Sequence, residues 1–299
     1  MTLRGFRSCR IPRIPGSSTD HRVSRQNARA AMAAESATSP ILVRESRVGR
    51  IVLRDPKRRN ALDAAALAKL EELIGSVARD STCDVLVIAG EGTAFCAGFD
   101  LAACAEEPRT ASTLLARLSA CVAALRALDI PVVARVQGAA LAGGCALLTG
   151  CDFVVVARDA QLGYPVHRLG ISPAVSAPSL LSRMGSGARA LLMSNDLITG
   201  ELALAHGLAT DCVDCDQLDA AINALVARLL AKGPLALRET KRWIRAIEAI
   251  MPGDLGATPP RDETAMARAR DASMELAQGE EFAVRVREFW AARAAREST

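Results

Sequence analysis

The sequence predicts an α/β protein with one large core, and three observations favour this class. Short apolar segments of strand length alternate with longer segments whose apolar residues recur at helical spacing. Half of the 299 residues are hydrophobic, which is enough to bury a substantial core. The chain becomes more charged and helix-rich from Pro234. We therefore expect a core at 40–233 and a C-terminal helical subdomain at 234–299.

The core elements follow one another in a regular order. Two short strands, Ile41–Val43 and Val48–Leu53, open the core as a hairpin. Asp63 is expected to cap a helix that runs to about Arg79, because the apolar residues of this segment repeat at helical spacing. The further strands expected are Val85–Ala89, Pro131–Val136, Phe153–Ala157 and Cys212–Val213, and the further helices are Thr113–Leu128, one ending near Leu148, Ser179–Arg183, Ala188–Met193, Glu201–His206 and Leu218–Leu230.

Residues 1–39 are expected to be a disordered, arginine-rich extension outside the fold. This segment contains only two acidic residues, Asp20 and Glu35, but seven arginines, namely Arg4, Arg7, Arg10, Arg13, Arg22, Arg25 and Arg29. Such a composition is typical of a mitochondrial presequence, which would place the protein in the matrix. The favoured interpretation is an extended N-terminus on a cytoplasmic, bacterial protein.

Charge and hydropathy argue against two classes of partner. The net charge of +4 comes largely from the N-terminal extension, and aromatic residues make up only 3% of the chain, so neither charge nor stacking favours nucleic acid. The most apolar run, 130–157, is interrupted by Arg135, Gln137 and Asp152 before it reaches the length of a membrane span.

The nine cysteines indicate neither a disulfide framework nor a metal centre. Nine is an odd number, and several of them lie in apolar segments, which favours free thiols in a reducing compartment. The single C-x-x-C pattern, Cys212 to Cys215, lacks the second pair that a structural zinc site needs. We expect no metal and no separate cofactor.

Two glycine-containing turns are the strongest functional signal. The first, Gly90–Leu101, follows a buried strand, and Gly98 within it allows a ligand to approach the backbone closely. The second, within Pro131–Cys145, joins a strand to the start of a helix, where backbone N–H groups are unpaired. Two such turns side by side could direct two N–H donors at one developing oxyanion.

These turns resemble the two sequence blocks of the crotonase (enoyl-CoA hydratase/isomerase) family. The matching segments are AFCAGFDL and IPVVARVQGAALAGGCALLTGCD, supported by DPKRRNAL, AHGLATDCVD and KGPLALRETK in family order. The resemblance implies a spiral of ββα units with a C-terminal helical trimerisation region, a homotrimer or a dimer of trimers, and a role in fatty acid metabolism. It also implies an acyl-CoA thioester as substrate, with CoA as part of the substrate and not a cofactor.

Carried over by position, the resemblance makes the backbone N–H groups of Phe99 and Gly143 the two oxyanion donors. Other positions would line the CoA thioester, and Arg59 belongs to a basic run, Lys57 to Arg59, near the CoA nucleotide. The positions are Arg59, Ala61, Ala97, Gly98, Asp100, Leu101, Ala102 and Gly144. Asp100 also has the character of a helix cap.

The sequence departs from the family at both catalytic glutamates of the hydratases. Their positions correspond to Ala146 and Val166, and neither side chain can carry a proton. A positioned acid or base contributes about two to four orders of magnitude in rate, so ordinary water addition is expected to be lost. Ala142 also replaces the first glycine of the second turn.

His167 is the leading candidate for a replacement proton carrier, because it follows Val166 and histidine titrates near neutral pH. Tyr164, Ser119, Ser172 and Cys145 are weaker candidates. The expected function is that of a CoA-thioester enzyme with chemistry other than hydration, such as isomerisation, decarboxylation, dehalogenation or thioester cleavage. The alternative is a catalytically silent subunit that binds acyl-CoA or serves regulation or assembly.

Overall fold

The computed structural model describes residues 38–100, 109–250, 274 and 279–297. The described residues from Ser39 onward belong to one compact unit. The N-terminal extension, the loop expected at 251–260, Leu101 and Ala102 lie outside the described residues, apart from Thr38 and Ser39 of the extension. The domain boundaries at 40 and 234 and the homotrimer therefore remain predictions.

Nine strands are described. They are β1 Ile41–Glu45, β2 Val48–Leu53, β3 Val85–Gly90, β4 Val132–Val136, β5 Ala139–Leu141, β6 Phe153–Ala157, β7 Gln161–Gly163, β8 Leu197–Thr199 and β9 Asp211–Val213. Six of them form the main sheet in the order β1-β2-β3-β4-β6-β9, in which only the β1–β2 pair is antiparallel. The others form a small sheet in the order β5-β7-β8.

The described helices are α1 Ala64–Ala78, α2 Arg109–Ala127, α3 Gly143–Leu148, α4 Ala177–Met184, α5 Gly187–Ser194, α6 Gly200–Ala205, α7 Leu218–Leu230, α8 Pro234–Ile250 and α9 Glu280–Glu297. Short 3-10 turns lie at Pro56–Arg58, His167–Leu169 and Cys215–Gln217. The predicted cap of α1 is confirmed, because the Asp63 carboxylate accepts a hydrogen bond of 2.7 Å from the Ala66 N–H.

The core lies between the main sheet and its helices. Strands β3, β4 and β6 are almost entirely buried, as parallel strands covered on both faces should be. Helices α1 and α2 pack on each other, and α7 packs on β4 and β6. The mixed α/β class predicted from the alternation of apolar segments is therefore confirmed.

The sequence pattern missed the small sheet. The segment around Ala139 was expected to be a turn that leads into a helix, but residues Ala139–Leu141 pair with β7, and β7 pairs with β8. Each of these strands is three residues long, so none carries a periodic signal of its own. Their pairing with segments remote in sequence is what makes them strands.

Among the described helices, no single one is long and apolar enough to cross a membrane. Only the pair Cys215–Leu230 and Pro234–Glu248, which bends by 101°, reaches the required length and composition together.

Candidate active site

The two glycine-containing turns meet at the carboxyl ends of β3 and β4, which are neighbours in the main sheet. The Cys96 N–H donates to the Ala139 carbonyl at 2.9 Å, and the Leu141 N–H donates back to the Cys96 carbonyl at 3.0 Å. The first turn is thus hydrogen-bonded to β5 of the second. In open parallel sheets, ligands bind outside the carboxyl ends of neighbouring strands, so the position suits a site.

Gly98 is required where the two turns touch. Its φ of +99° is unfavourable for residues with a side chain. A Cβ at this position would lie 3.1 Å from the Leu141 carbonyl oxygen and 3.7 Å from the Gly143 nitrogen. Glycine therefore lets the first turn approach the start of α3 closely.

Two buried carboxamides hold the first turn in place. The Asn60 Nδ2 donates to the carbonyls of Glu91 and Ala94, both at 2.9 Å, and Asn60 Oδ1 accepts from the Asp55 N–H at 2.8 Å. The Gln137 Nε2 donates to the Gly90 carbonyl at 2.7 Å. The turn has no ladder of its own, so these side chains satisfy carbonyls that would otherwise be buried unpaired. Sequence reasoning did not single out either carboxamide.

The two predicted donors are the N–H groups of Phe99 and Gly143. The backbone around Phe99 is fixed, because the Leu62 N–H donates to the Gly98 carbonyl at 2.7 Å and the Asp100 N–H to the Leu62 carbonyl at 3.0 Å. Gly143 is the first residue of α3, where an N–H has no intrahelical acceptor. Within the described part of the chain, neither N–H donates a hydrogen bond.

Ala142, immediately before Gly143, adopts a backbone conformation that favours glycine. Its φ is 48° and its ψ is −108°, although it carries a Cβ. Such a conformation strains a residue by about 1–3 kcal/mol and persists where the surroundings enforce it. Hydrogen bonds enforce it here, from the Ala142 N–H to the Gly163 carbonyl at 2.8 Å and from the Ala146 N–H to the Ala142 carbonyl at 2.9 Å.

A cavity of about 110 Å³ opens beside these donors and is mostly apolar. Its lining residues are Ala97, Phe99, Leu115, Leu118, Leu141, Ala142, Gly143, Ala146, Tyr164, Pro165, Val166, Leu169, Ile171, Ser172, Pro173, Val175 and Ser176. Tyr164 is the only one of them with an ionisable side chain. A hydrocarbon group would therefore be favoured here, with a carbonyl oxygen at the rim formed by Phe99 and Gly143.

Known proteins share both the sequence pattern and the architecture. The family model for enoyl-CoA hydratase/isomerase matches residues 43–249. The chain belongs to this family. It is 33% identical to the crotonyl-CoA hydratase of Syntrophomonas wolfei over 67% of this chain and 79% of that protein. It is 34% identical to the 2,3-dehydroadipyl-CoA hydratase of Escherichia coli over 70% and 83%.

Solved structures agree with this assignment. An enoyl-CoA hydratase of Mycobacterium smegmatis superimposes with a TM-score of 0.72 at 29% identity, covering 81% of this chain and 91% of that one. Pseudomonas aeruginosa AtuE superimposes with the same TM-score at 31% identity, covering 81% and 93%. The fold is thus the crotonase fold that the sequence blocks predicted.

The two positions that the sequence resemblance assigns to the family glutamates lie in the cavity wall. Ala146, on α3, is 2% exposed, and Val166 is half-buried just before the 3-10 turn. Both line the cavity. The wall at the positions where crotonase hydratases carry their acids is therefore hydrocarbon.

His167 does not lie where a replacement proton carrier was expected. It begins the 3-10 turn after Val166, its side chain is exposed, and it does not line the cavity. Ser119 is exposed on α2 and also lies outside the lining, whereas Ser172 belongs to it. The catalytic role of His167 thus has no support from its position and stays a prediction.

Tyr164, in the cavity wall, and Cys145, behind it, are buried next to each other. Burial raises the pKa of the Cys145 thiol to about 12, so the thiol stays protonated at neutral pH. Burial also raises the pKa of Tyr164 well above its usual value. The Tyr164 hydroxyl lies near Cys145 and Ser176 but makes no hydrogen bond of normal geometry. Neither group can deliver a proton readily near neutral pH.

The remaining predicted ligand-binding positions occupy several environments. Ala97 lines the cavity, whereas Gly144 is buried so tightly that a Cβ would lie 2.3 Å from the Cys96 carbonyl oxygen. Arg59 is exposed next to half-buried Ala61. Leu101 and Ala102 lie outside the described residues.

The basic run is partly neutralised. The Arg58 guanidinium pairs with the carboxylates of Asp55, Asp63 and Asp100, at 2.5, 3.2 and 2.6 Å. Lys57 and Arg59 are exposed and form no ion pair among the described residues. They are thus the cations of this run that remain available to an anionic ligand.

The described residues contain no cluster of His, Cys, Asp or Glu that could hold a metal ion. Cys212 and Cys215 are free, and Cys215 is exposed.

Proposed function

We propose that this protein binds an acyl-CoA thioester, holds the carbonyl oxygen between the N–H groups of Phe99 and Gly143, and does not catalyse ordinary hydration. One observation carries the proposal. Two N–H groups that donate no hydrogen bond among the described residues lie on adjoining turns at the edge of an apolar cavity, and the two positions that the resemblance assigns to the glutamates carry hydrocarbon side chains.

Polarisation of the carbonyl is the chemistry that this arrangement supports. Removing one oxyanion donor from an enzyme lowers kcat by about 10²–10³, so a pair of fixed donors substantially stabilises an enolate or tetrahedral oxyanion. Hydration also needs a group that takes a proton from water and one that gives a proton to carbon. Ala146 and Val166 can do neither, so the proposal is limited to reactions with a different proton carrier.

The strain at Ala142 supports retention of the donor geometry. A chain that used this turn only for packing would gain stability by relaxing a backbone conformation unfavourable to alanine. Ala142 instead keeps that conformation at the residue that precedes the Gly143 donor.

A second candidate is acyl-CoA binding without turnover. It is favoured by the described lining of the cavity, in which the one ionisable side chain is a tyrosine whose pKa burial raises well above its ordinary value. Under this candidate the two N–H groups serve recognition alone.

The test compares ligands and not variants, since backbone N–H groups cannot be removed without disturbing the chain. Affinity is measured calorimetrically for an acyl-CoA thioester and for the S-alkyl-CoA thioether of equal chain length, which lacks the carbonyl. We expect the thioester to bind about tenfold tighter or more, because two hydrogen bonds are lost with the carbonyl. Equal affinities would refute the oxyanion site.

A mass-spectrometric screen with enoyl-, 3-hydroxyacyl- and malonyl-type CoA thioesters then separates the two candidates. Loss of carbon dioxide, release of CoA or migration of a double bond identifies an enzyme. Binding of thioesters with no product identifies the silent candidate, and a gain of water would contradict the proposal. His167→Ala serves as the variant that tests the predicted proton carrier.

A further inference from the structure

A second cavity of about 430 Å³ lies apart from the acyl cavity and shares no lining residue with it. Its lining residues are Arg126, Thr149, Gly150, Cys151, Asp152, Phe153, Ser179, Ser182, Arg183, Gly207, Thr210, Lys241, Ile244, Arg245 and Glu248. They come from the end of α2, the α3–β6 loop and the start of β6, α4, the α6–β9 loop and α8. Four of them are cations and two are carboxylates.

Three of the four cations are paired with a carboxylate. Lys241 Nζ lies 2.7 Å from Asp152 Oδ2, and Arg126 Nη2 lies 2.6 Å from Glu248 Oε2. Arg245 Nη2 lies 3.0 Å from an oxygen of Asp129, just outside the cavity. Arg183, the fourth cation, forms no ion pair with a carboxylate of the described residues.

Arg183 is bound by backbone carbonyls only. Its Nη1 donates to the carbonyls of Leu148, at 3.3 Å, and Cys151, and its Nη2 donates to the Asp152 carbonyl at 3.3 Å. It forms no ion pair among the described residues. Burial lowers the pKa of its guanidinium, which still remains protonated at neutral pH. The carboxylates of Asp152 and Glu248 stabilise its charge only from beyond ion-pair distance. A half-buried cation without an ion pair is further stabilised by an anion that reaches it.

We propose that this second cavity is a binding site for a small oxyanion of the phosphate class. The cavity offers a guanidinium that forms no ion pair among the described residues, and its planar donors suit a tetrahedral oxyanion. The hydroxyls of Thr149, Ser179, Ser182 and Thr210 also line the cavity, but each already donates a hydrogen bond within the protein. Arg126, Lys241 and Arg245 add positive potential around it. Because the acyl-CoA thioester binds elsewhere in the proposed function, this site does not depend on that proposal.

The anion site is connected to the acyl cavity through two helices. Helix α3 begins with the Gly143 donor and ends at Leu148, whose carbonyl binds Arg183. Helix α4 begins next to Ser176 in the acyl cavity and carries Arg183 in its last turn. The two cavities thus lie at opposite ends of these two helices.

The test uses the full chain with inorganic phosphate as the probe, titrated by calorimetry at constant ionic strength against chloride. Ile244→Glu places a carboxylate in the lining of the cavity at a residue that is 53% exposed. Ile247→Glu adds the same charge to the same helix at a residue that is 48% exposed and lies outside the lining. Arg183→Gln removes the unpaired cation.

We expect saturable phosphate binding by the unchanged chain and by Ile247→Glu, and affinity about tenfold weaker or more in Ile244→Glu and Arg183→Gln. Ile244→Glu keeps the test decisive if Arg183→Gln does not fold. Absence of saturable binding, or equal binding by the two glutamate variants, overturns the proposal. Free CoA added to the phosphate-saturated chain should leave phosphate bound, whereas displacement would show that the site belongs to the CoA nucleotide.

Discussion

At the scale of single residues, Ala142 is the clearest departure from relaxed backbone geometry. Ala142→Gly is expected to raise the free energy of unfolding by about 1 kcal/mol, because relief of a positive φ outweighs the greater entropy of the unfolded chain. Urea unfolding measures the change. The control is Ala140→Gly in β5, where the same substitution should lower stability by about the same amount. A loss of stability in both variants would show that Ala142 is not strained.

The two vacated glutamate positions give a second residue-scale prediction. The double variant Ala146→Glu, Val166→Glu should add water to an enoyl-CoA at a rate at least about 10² above the unchanged chain, since it regains both proton carriers. The matched control replaces both residues with Gln, which has similar volume but cannot exchange a proton. Mass spectrometry of the product measures the rate. Equal rates in the Glu and Gln variants would mean that these positions do not face the reacting carbons.

At the scale of elements, the first turn depends on remote side chains for its shape. Asn60→Ala should lower the free energy of unfolding by about 3 kcal/mol, because it removes the acceptor of the buried Asp55 N–H and a donor to the buried carbonyls of Ala94 and Phe95. Asn223→Ala, at an exposed residue whose partner among the described residues is Arg50, should change stability by less than about 0.5 kcal/mol. Chemical denaturation compares the two, and similar effects would contradict the role of Asn60.

Sequence reasoning succeeded where an element carries its own signal. The strand Phe153–Ala157 was predicted to the residue, because its apolar run lies between polar neighbours, and helix Leu218–Leu230 because its apolar residues repeat at helical spacing. The predicted turn at Ala139 was wrong, because β5 exists only through pairing with β7. A strand of three residues has no sequence pattern of its own and can be assigned only once its pairing partner is known.

The candidate site also contains some residues that the sequence could identify and others that it could not. Gly98 could be identified from the sequence, because a glycine in a turn indicates a backbone conformation that other residues avoid. The structure confirms this with a positive φ at Gly98. Asn60 and Gln137 could not be identified, because an amide side chain in a sequence does not reveal which carbonyls it will reach. The choice of His167 relied on adjacency in sequence, and the 3-10 turn after Val166 leaves His167 exposed outside the cavity lining.

At the scale of the whole molecule, helix α8 is attached to the core largely through charged pairs. Asp129, just after α2, accepts from Arg242 at 2.8 Å and from Arg245 at 3.0 Å. The hydrogen bond from Arg242 lowers the pKa of Asp129 below its ordinary value. Its folded pKa is thus below the unfolded one, so the stability it contributes is present above pH of about 4 and lost as pH falls further.

Asp129→Asn should therefore reduce the loss of stability below about pH 4 relative to the unchanged chain. The effect should be small, since the pair is partly exposed and screened by water and salt. The control is Asp159→Asn, at an exposed aspartate without an ion pair among the described residues. It should leave the loss of stability below about pH 4 unchanged. Thermal unfolding as a function of pH measures both effects. The same fall in unfolding temperature at acid pH in all three chains would contradict the role of Asp129.

The central claim is that a thioester carbonyl lies between two backbone N–H groups in a site that does not hydrate. Infrared difference spectroscopy of an enoyl-CoA with a ¹³C-labelled carbonyl tests it most directly. We expect the carbonyl band to shift to lower frequency on binding and the conjugated band to persist with time. An unshifted carbonyl, or loss of the conjugated band as water adds, would contradict the account.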